Sequence, residues 1–181
     1  MITILICGLG NPSKEHQNNR HNIGFKVVDF IASKWGVTFS DTKKFLGHIA
    51  HHKIGYVSYI LCKPNTYMNA SGQSVAAIKK FYAIDNDHIW VIHDELDLSF
   101  NDVRVKKGGG HAGHNGLKSI DAHIGNDYHR IRVGIGRPSH KDDVTHYVLS
   151  DFVKSENVGA MVEEVWNKLR DCLEIGDGES A

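Results

Sequence analysis

The sequence offers one pairing well suited to proton transfer. His21 stands in Arg20-His21-Asn22, where an amphipathic pattern begins, and Asp94 follows the apolar run His88–His93. A histidine base works best when a carboxylate fixes its tautomer and stabilises the imidazolium. Glu95 and Asp97 are alternative carboxylates on the same loop, and a turn or cap role is the plain alternative for Asp94. The chain holds thirteen histidines, so position rather than residue type singles out His21. No side chain is a convincing nucleophile. Ser71 lies in Asn-Ala-Ser-Gly, not in a GxSxG turn, and Cys7 lies inside an apolar run, where thiols are inert. If the chain is a hydrolase, the expected attacker is water activated by histidine.

Asn11, Asn69 and Asn115 sit in loops beside Gly-rich or Pro-bounded turns. An asparagine amide donates and accepts, which suits recognition of a carbonyl near a reacting centre, although each alone also reads as a turn residue. Gly108-Gly109-Gly110 allows close backbone approach to a ligand, lid motion, or simply a flexible loop. His111-x-x-His114 has only two ligands in a glycine-rich loop and no further cluster, so no metal is expected. Gly8-x-Gly10 after an apolar run has the start of a dinucleotide fingerprint. Ser13 occupies the third glycine position, Pro12 interrupts the turn, and Asp29 falls within the following helix, which weakens a nucleotide-cofactor reading.

These side chains need a scaffold that alternates strands and helices. Strands are expected at 2–7, 45–54, 56–62, 88–93, 103–105 and 129–136, with a hairpin at Gly55. Helices are expected from Ile23 to Trp35, after an N-cap at Ser71 with Val75, Ile78 and Phe81 on one face, and over 117–124, 142–149 and 155–174. Residues 63–69 should be neither strand nor helix, because Pro64 lacks a donor. The alternation implies one α/β domain with a central sheet. At 181 residues the chain can bury one good core. With 41% hydrophobic and 23% charged residues, the composition is that of a globular protein. No apolar run approaches the roughly 20 residues that span a bilayer. Met1 leads directly into a strand, so no signal peptide is expected, and three scattered cysteines without CxxC spacing suit a reducing, cytoplasmic setting. Net charge is zero, yet residues 104–141 carry +6 and the remainder −6. That asymmetry suits a locally docked nucleic acid or phosphate as readily as a solvated face paired with acids elsewhere.

Six segments together resemble bacterial peptidyl-tRNA hydrolase. They are GLGNP (8–12), RHNIGF (20–25), KPNTYMNASGQSV (63–75), HDELDL (93–98), KKGGGHAGHNGLKSI (106–120) and RIRVGIGRP (130–138). The resemblance runs from the first strand to about Leu149. It implies cleavage of the ester joining a peptide to the 3′-terminal ribose of tRNA. It also implies a monomeric single domain over 1–181, a twisted mixed β-sheet surrounded by helices in a phosphorylase/hydrolase-like α/β fold, and no cofactor. By this resemblance His21 is the base and Asp94 its support. Asn11, His16, Tyr67, Asn69 and Asn115 bind the substrate end, His114 assists there, and Arg104, Lys106 and Lys107 meet tRNA phosphates. The family usually has tyrosine at the position of His16 and glycine at that of Ser13. A non-catalytic tRNA- or ribosome-binding module on the same fold is the alternative.

Overall fold

The computed structural model describes residues 1–176, so the last positions of the expected 1–181 domain lie outside the described residues. Strand β1 (Ile2–Gly8) is apolar apart from Thr3 and is buried from Ile4 onward, where both of its faces are covered. Side chains alternate along a strand, so Ile4 and Ile6 enter one core and Leu5 and Cys7 another. The first core is closed by helices α1 (Ile23–Trp35) and α5 (Val158–Cys172), the second by α2 (Ser71–Tyr82) and α3 (Asn115–Ile124).

The remaining strands are β2 (Ser40–Thr42), β3 (Gly47–Ile54), β4 (Val57–Pro64), β5 (Ile89–Glu95), β6 (Val103–Lys107) and β7 (His129–Gly134). They form a mixed seven-stranded sheet in the order β2-β3-β4-β1-β5-β7-β6. Strands β1, β4, β5 and β7 are parallel, whereas β3 opposes β4 and β6 opposes β7. From β1 the chain builds β3 and β4 to one side, then crosses through α2 to lay β5 on the other side. The carboxyl ends of β1 and β5 therefore flank the point where strand order reverses, where ligands gather in open α/β sheets. A short helix, α4 (Val144–Val148), lies between β7 and α5.

Several local expectations shift. Strand β4 runs on through Lys63 and Pro64, and a 3-10 turn, Met68–Ala70, follows. Pro64 is tolerated because it faces Gly47 beyond Cys7–Cys62, the last pairing with β1, where no ladder donor is needed. Ala70 holds the N-cap position of α2. Ser71 is its first residue and donates Oγ–H to the Met68 carbonyl. Phe81, expected on one face with Val75 and Ile78, is 59% exposed and packs edge-on against Phe45. Strand β7 ends at Gly134 rather than 136. The 142–149 helix shortens to α4 behind a 3-10 turn, and α5 starts at Val158, where Asn157 caps it by accepting from Ala160 N–H. The short strand β2 carries too few residues for a period-two signal.

Candidate active site

Delivery of His21 to the sheet depends on two glycines. After β1 the chain makes a loop, a 3-10 turn at Arg20–Asn22, and then α1. The start of α1 lies so close to the strand ends that a Cβ on Gly8 would sit 2.1 Å from the Gly24 carbonyl oxygen. A Cβ on Gly24 would sit 2.4 Å from Leu9 N and 2.5 Å from Ile92 O. These glycines admit a helix rather than cradle a phosphate, which removes the physical basis of the nucleotide-loop reading. The backbone approach sets the 3-10 turn against the end of β5.

There Asp94 joins two histidines. Its Oδ2 lies 2.8 Å from His21 Nδ1 and its Oδ1 lies 2.7 Å from His114 Nε2. Although burial alone would raise it, the two rings hold the Asp94 carboxyl far below the usual carboxylate range. An ionised carboxylate only accepts, so both rings donate to it. His114 Nδ1 accepts from the backbone N–H groups of Gly116 and Leu117 at the start of α3, which fixes the proton on Nε2. His21 likewise has its proton on Nδ1, leaving Nε2 as an open lone pair. Burial opposes a charge on His21, but the charge and hydrogen bond of Asp94 outweigh it and the pKa is raised. Glu95 and Asp97 are spoken for by Arg132 and Arg137 and do not reach His21.

His21, Asp94 and His114 converge closely enough to suggest a metal-ligand set. Ligation through His114 Nε2 would require its proton to move to Nδ1, against two backbone donors, so the tautomer opposes this set as a metal centre. His111 Nδ1 is also occupied, accepting from Gly113 N–H.

The array opens into a cleft of about 840 Å³ lined by Asn11, Met68, Asn69, His111, Asn115 and residues of α4, among others. Asn11 is held from both sides. Asn22 accepts from its N–H and donates to its carbonyl, each at 2.8 Å, and Asn11 Oδ1 accepts from Met68 N–H at 2.9 Å. The amide Nδ2 of Asn11 is thereby left as a donor on the cleft side. Asn69 and Asn115 are exposed on the cleft wall. Tyr67 is 78% exposed and lies outside the cleft lining, as does His16. His16 Nδ1 lies 2.6 Å from Asn19 Oδ1, and Asn19 donates in turn to Asp151, so His16 braces a loop.

Strand alternation sorts the cations. Lys106 pairs in register with Arg130, and Arg104 with Arg132, so these four share a face with His93, which is opposite Arg132. Lys106 and Arg132 line the cleft, as do Arg137 and Lys141. Lys107 projects to the opposite face, paired with Asp87, and Arg104 is paired with Asp102 at 3.1 Å and does not line the cleft. Lys106 and Lys141 have no carboxylate partner among the described residues. Asn22, Met68 and Arg132 escaped the sequence reading as site residues. Arg132 was accessible in principle, from the two-residue spacing of Arg130 and Arg132 on a strand; Asn22 and Met68 carried no such signal.

A family model described as peptidyl-tRNA hydrolase matches residues 5–180. A peptidyl-tRNA hydrolase of Rickettsia bellii is 49% identical over 172 residues, covering 95% of this chain and 92% of that protein. The crystal structure of peptidyl-tRNA hydrolase from Acinetobacter baumannii superposes with a TM-score of 0.86 at 41% identity, over 95% of this chain and 91% of that one. An Arabidopsis thaliana 5′-methylthioadenosine nucleosidase, with a TM-score of 0.55 and 6% identity over 98% of both chains, shares the fold alone.

Proposed function

The chain belongs to the peptidyl-tRNA hydrolase family, and from that premise we propose how its own residues cleave the ester between a peptide and the 3′-terminal ribose of tRNA. His21 Nε2 takes a proton from a water molecule in the cleft, and the resulting hydroxide adds to the ester carbonyl. Asp94 holds the ring's tautomer and stabilises the imidazolium that forms. The oxyanion of the tetrahedral intermediate is met by amide donors, first Asn11 Nδ2 and then Asn69 and Asn115 on the cleft wall. Collapse expels the ribose oxygen, which recovers the proton from His21, and free tRNA and a peptide carboxylate leave. No covalent intermediate is required, because an ester leaving group needs only one base and one proton return.

His114 acts through Asp94 in this scheme, as a fixed N–H donor from the start of α3. Lys106 and Arg132, with Lys141 of the same cleft, receive the tRNA phosphates. Phosphate contacts position without reading sequence, as an enzyme acting on many tRNAs requires. His16 and Tyr67 lie at greater remove and serve the substrate end only through the loops that carry them. One chain holds the base, its support and the cleft, so the reaction needs no residue from a second copy. The reaction belongs to the cytoplasm, and no described helix is long and apolar enough to cross a membrane.

The observation that carries this reading is the open Nε2 of His21, on a ring oriented by a buried, ionised Asp94. The test is release of free tRNA from N-blocked aminoacyl-tRNA. His21→Ala should abolish it while leaving the circular dichroism spectrum unchanged. Near-normal turnover in that variant would sink the base assignment, and no release by the unaltered protein would favour a non-catalytic binding module.

A further inference from the structure

We propose that Arg130 is a positioning residue for this reaction, a buried clamp that holds the Gly108–Gly113 loop, whose residues 110–113 wall the cleft, in its binding shape. The inference rests on the hydrolase reading and deepens it by assigning the wall's geometry chiefly to one buried side chain, with exposed Asn126 adding a single bond from Nδ2 to the Gly109 carbonyl at 3.2 Å.

Arg130 belongs to β7 and is 2% exposed. Its guanidinium donates to the carbonyls of Gly110 at 2.6 Å and Gly109 at 3.0 Å, and meets Asp121 Oδ1 of α3 at 3.2 Å. Tyr128 donates to the same Asp121 oxygen at 2.6 Å. One planar fork thus ties the sheet, the loop and α3 together, a geometry that guanidinium supplies and ammonium does not. Arg130 Nε has no partner, so the side chain is placed by its two outer nitrogens at the cost of the third.

The loop needs such a hold. Gly108, Gly109 and Gly113 have φ of +71°, +97° and +81°, and Ala112 has +49°. A run of left-handed residues at a surface has few carbonyl partners of its own and loses much entropy when ordered. Lys106 packs against the same glycine, because a Cβ on Gly109 would lie 2.7 Å from Lys106 Nζ. Arg130, holding the Gly109 carbonyl, thus steadies the glycine against which one of the cleft's unpaired cations packs. A buried ion pair is a poor device for stability alone. The clamp's consequence is instead a pre-ordered wall, which spares the substrate that ordering cost on binding.

Arg130→Lys keeps a positive charge beside Asp121 but cannot bridge both glycine carbonyls in one plane. It should raise KM for N-blocked aminoacyl-tRNA on the order of tenfold. Its kcat should stay within about twofold and the acid limb of its pH profile should stay put, since His21 and Asp94 are held from elsewhere. Backbone order parameters at Gly109 and Gly110 should stand near the rigid value of about 0.85 in the unaltered protein and fall below about 0.6 in the variant. General destabilisation would instead lower kcat through the active fraction and loosen β7 along with the loop. A folded lysine variant with unchanged KM and unchanged loop order overturns the clamp. If that variant does not fold, the unaltered protein decides: mobile glycines there refute the clamp, rigid ones support it. Failure of the hydrolase reading would look different, as an unaltered protein that releases no tRNA.

Discussion

At the scale of single residues, the chemistry reduces to where two ring protons sit around Asp94, on His21 Nδ1 and His114 Nε2. His21 must be neutral to act as the proposed base, and its pKa is raised despite burial. Hydrolysis should therefore fall as pH drops through a value above the ordinary histidine value of about 6.5, which the acid limb of kcat/KM would report. A limb at or below that value contradicts the pairing. Asp94→Asn presents one acceptor and one donor to two ring N–H groups, so one ring must invert its tautomer. Turnover should fall by at least about a hundredfold. The linkage signs differ between the partners. The depressed Asp94 adds stability above the usual carboxylate range, and that stability is lost as pH falls through its folded value. The raised His21 adds stability below its ordinary value, lost as pH rises through its folded value. Acid unfolding should accordingly begin at higher pH in a thermal-melt series once Asp94 is replaced. His93, next to Asp94, is pushed down to about 3 by burial and by nearby His114, so it stays neutral across the range in which His21 titrates.

At the scale of elements, the site depends on how closely α1 meets the ends of β1 and β5. Gly8 and Gly24 touch backbone to backbone, and the neighbours that a methyl group would meet are carbonyls and amides that cannot swing aside. Gly24→Ala should cost at least about 1–3 kcal/mol, the scale of overpacking a tight contact. It should also lower kcat, because relief of the clash draws the Arg20–Asn22 turn away from Asp94. A melting temperature and kcat both equal to those of the unaltered protein would show that the approach is not tight. Helix α3 has a comparable role, since its first N–H groups set the tautomer of His114. Arg20, stacked 4.2 Å from the Tyr147 ring and paired with Glu156 at 3.0 Å, joins the turn that carries His21 to α4 and the segment after it.

At the scale of the whole molecule, zero net charge conceals a sorted surface. Much of the +6 segment is neutralised by partners: Asp102 for Arg104, Asp87 for Lys107, Glu95 for Arg132 and Asp97 for Arg137. The unpaired Lys106 lies on the cleft side and the paired Lys107 on the other. If tRNA lies in the cleft, Lys106→Ala should weaken binding and reduce the slope of log K against log salt by about one. Lys107→Ala should leave that slope nearly unchanged. Equal effects from the two substitutions would place the tRNA along the sheet edge instead.

The sequence by itself determined much of this protein. Continuous apolar runs marked β1 and β5, and His21 in the segment that follows β1 and Asp94 near the end of β5 were legible because parallel strands present their carboxyl ends to ligands. Six motifs in order made the family recognisable. The tertiary structure alone decided that β1 and β5 are neighbours, because strand order arises from the crossover through α2 and leaves no local pattern. It added His114 to Asp94, a contact set by where α3 begins, and Asn22 to Asn11, a contact between two loop residues. It also separated Lys106 from Lys107, adjacent in sequence, because successive side chains of a strand point to opposite faces and a register must exist before either face can be assigned.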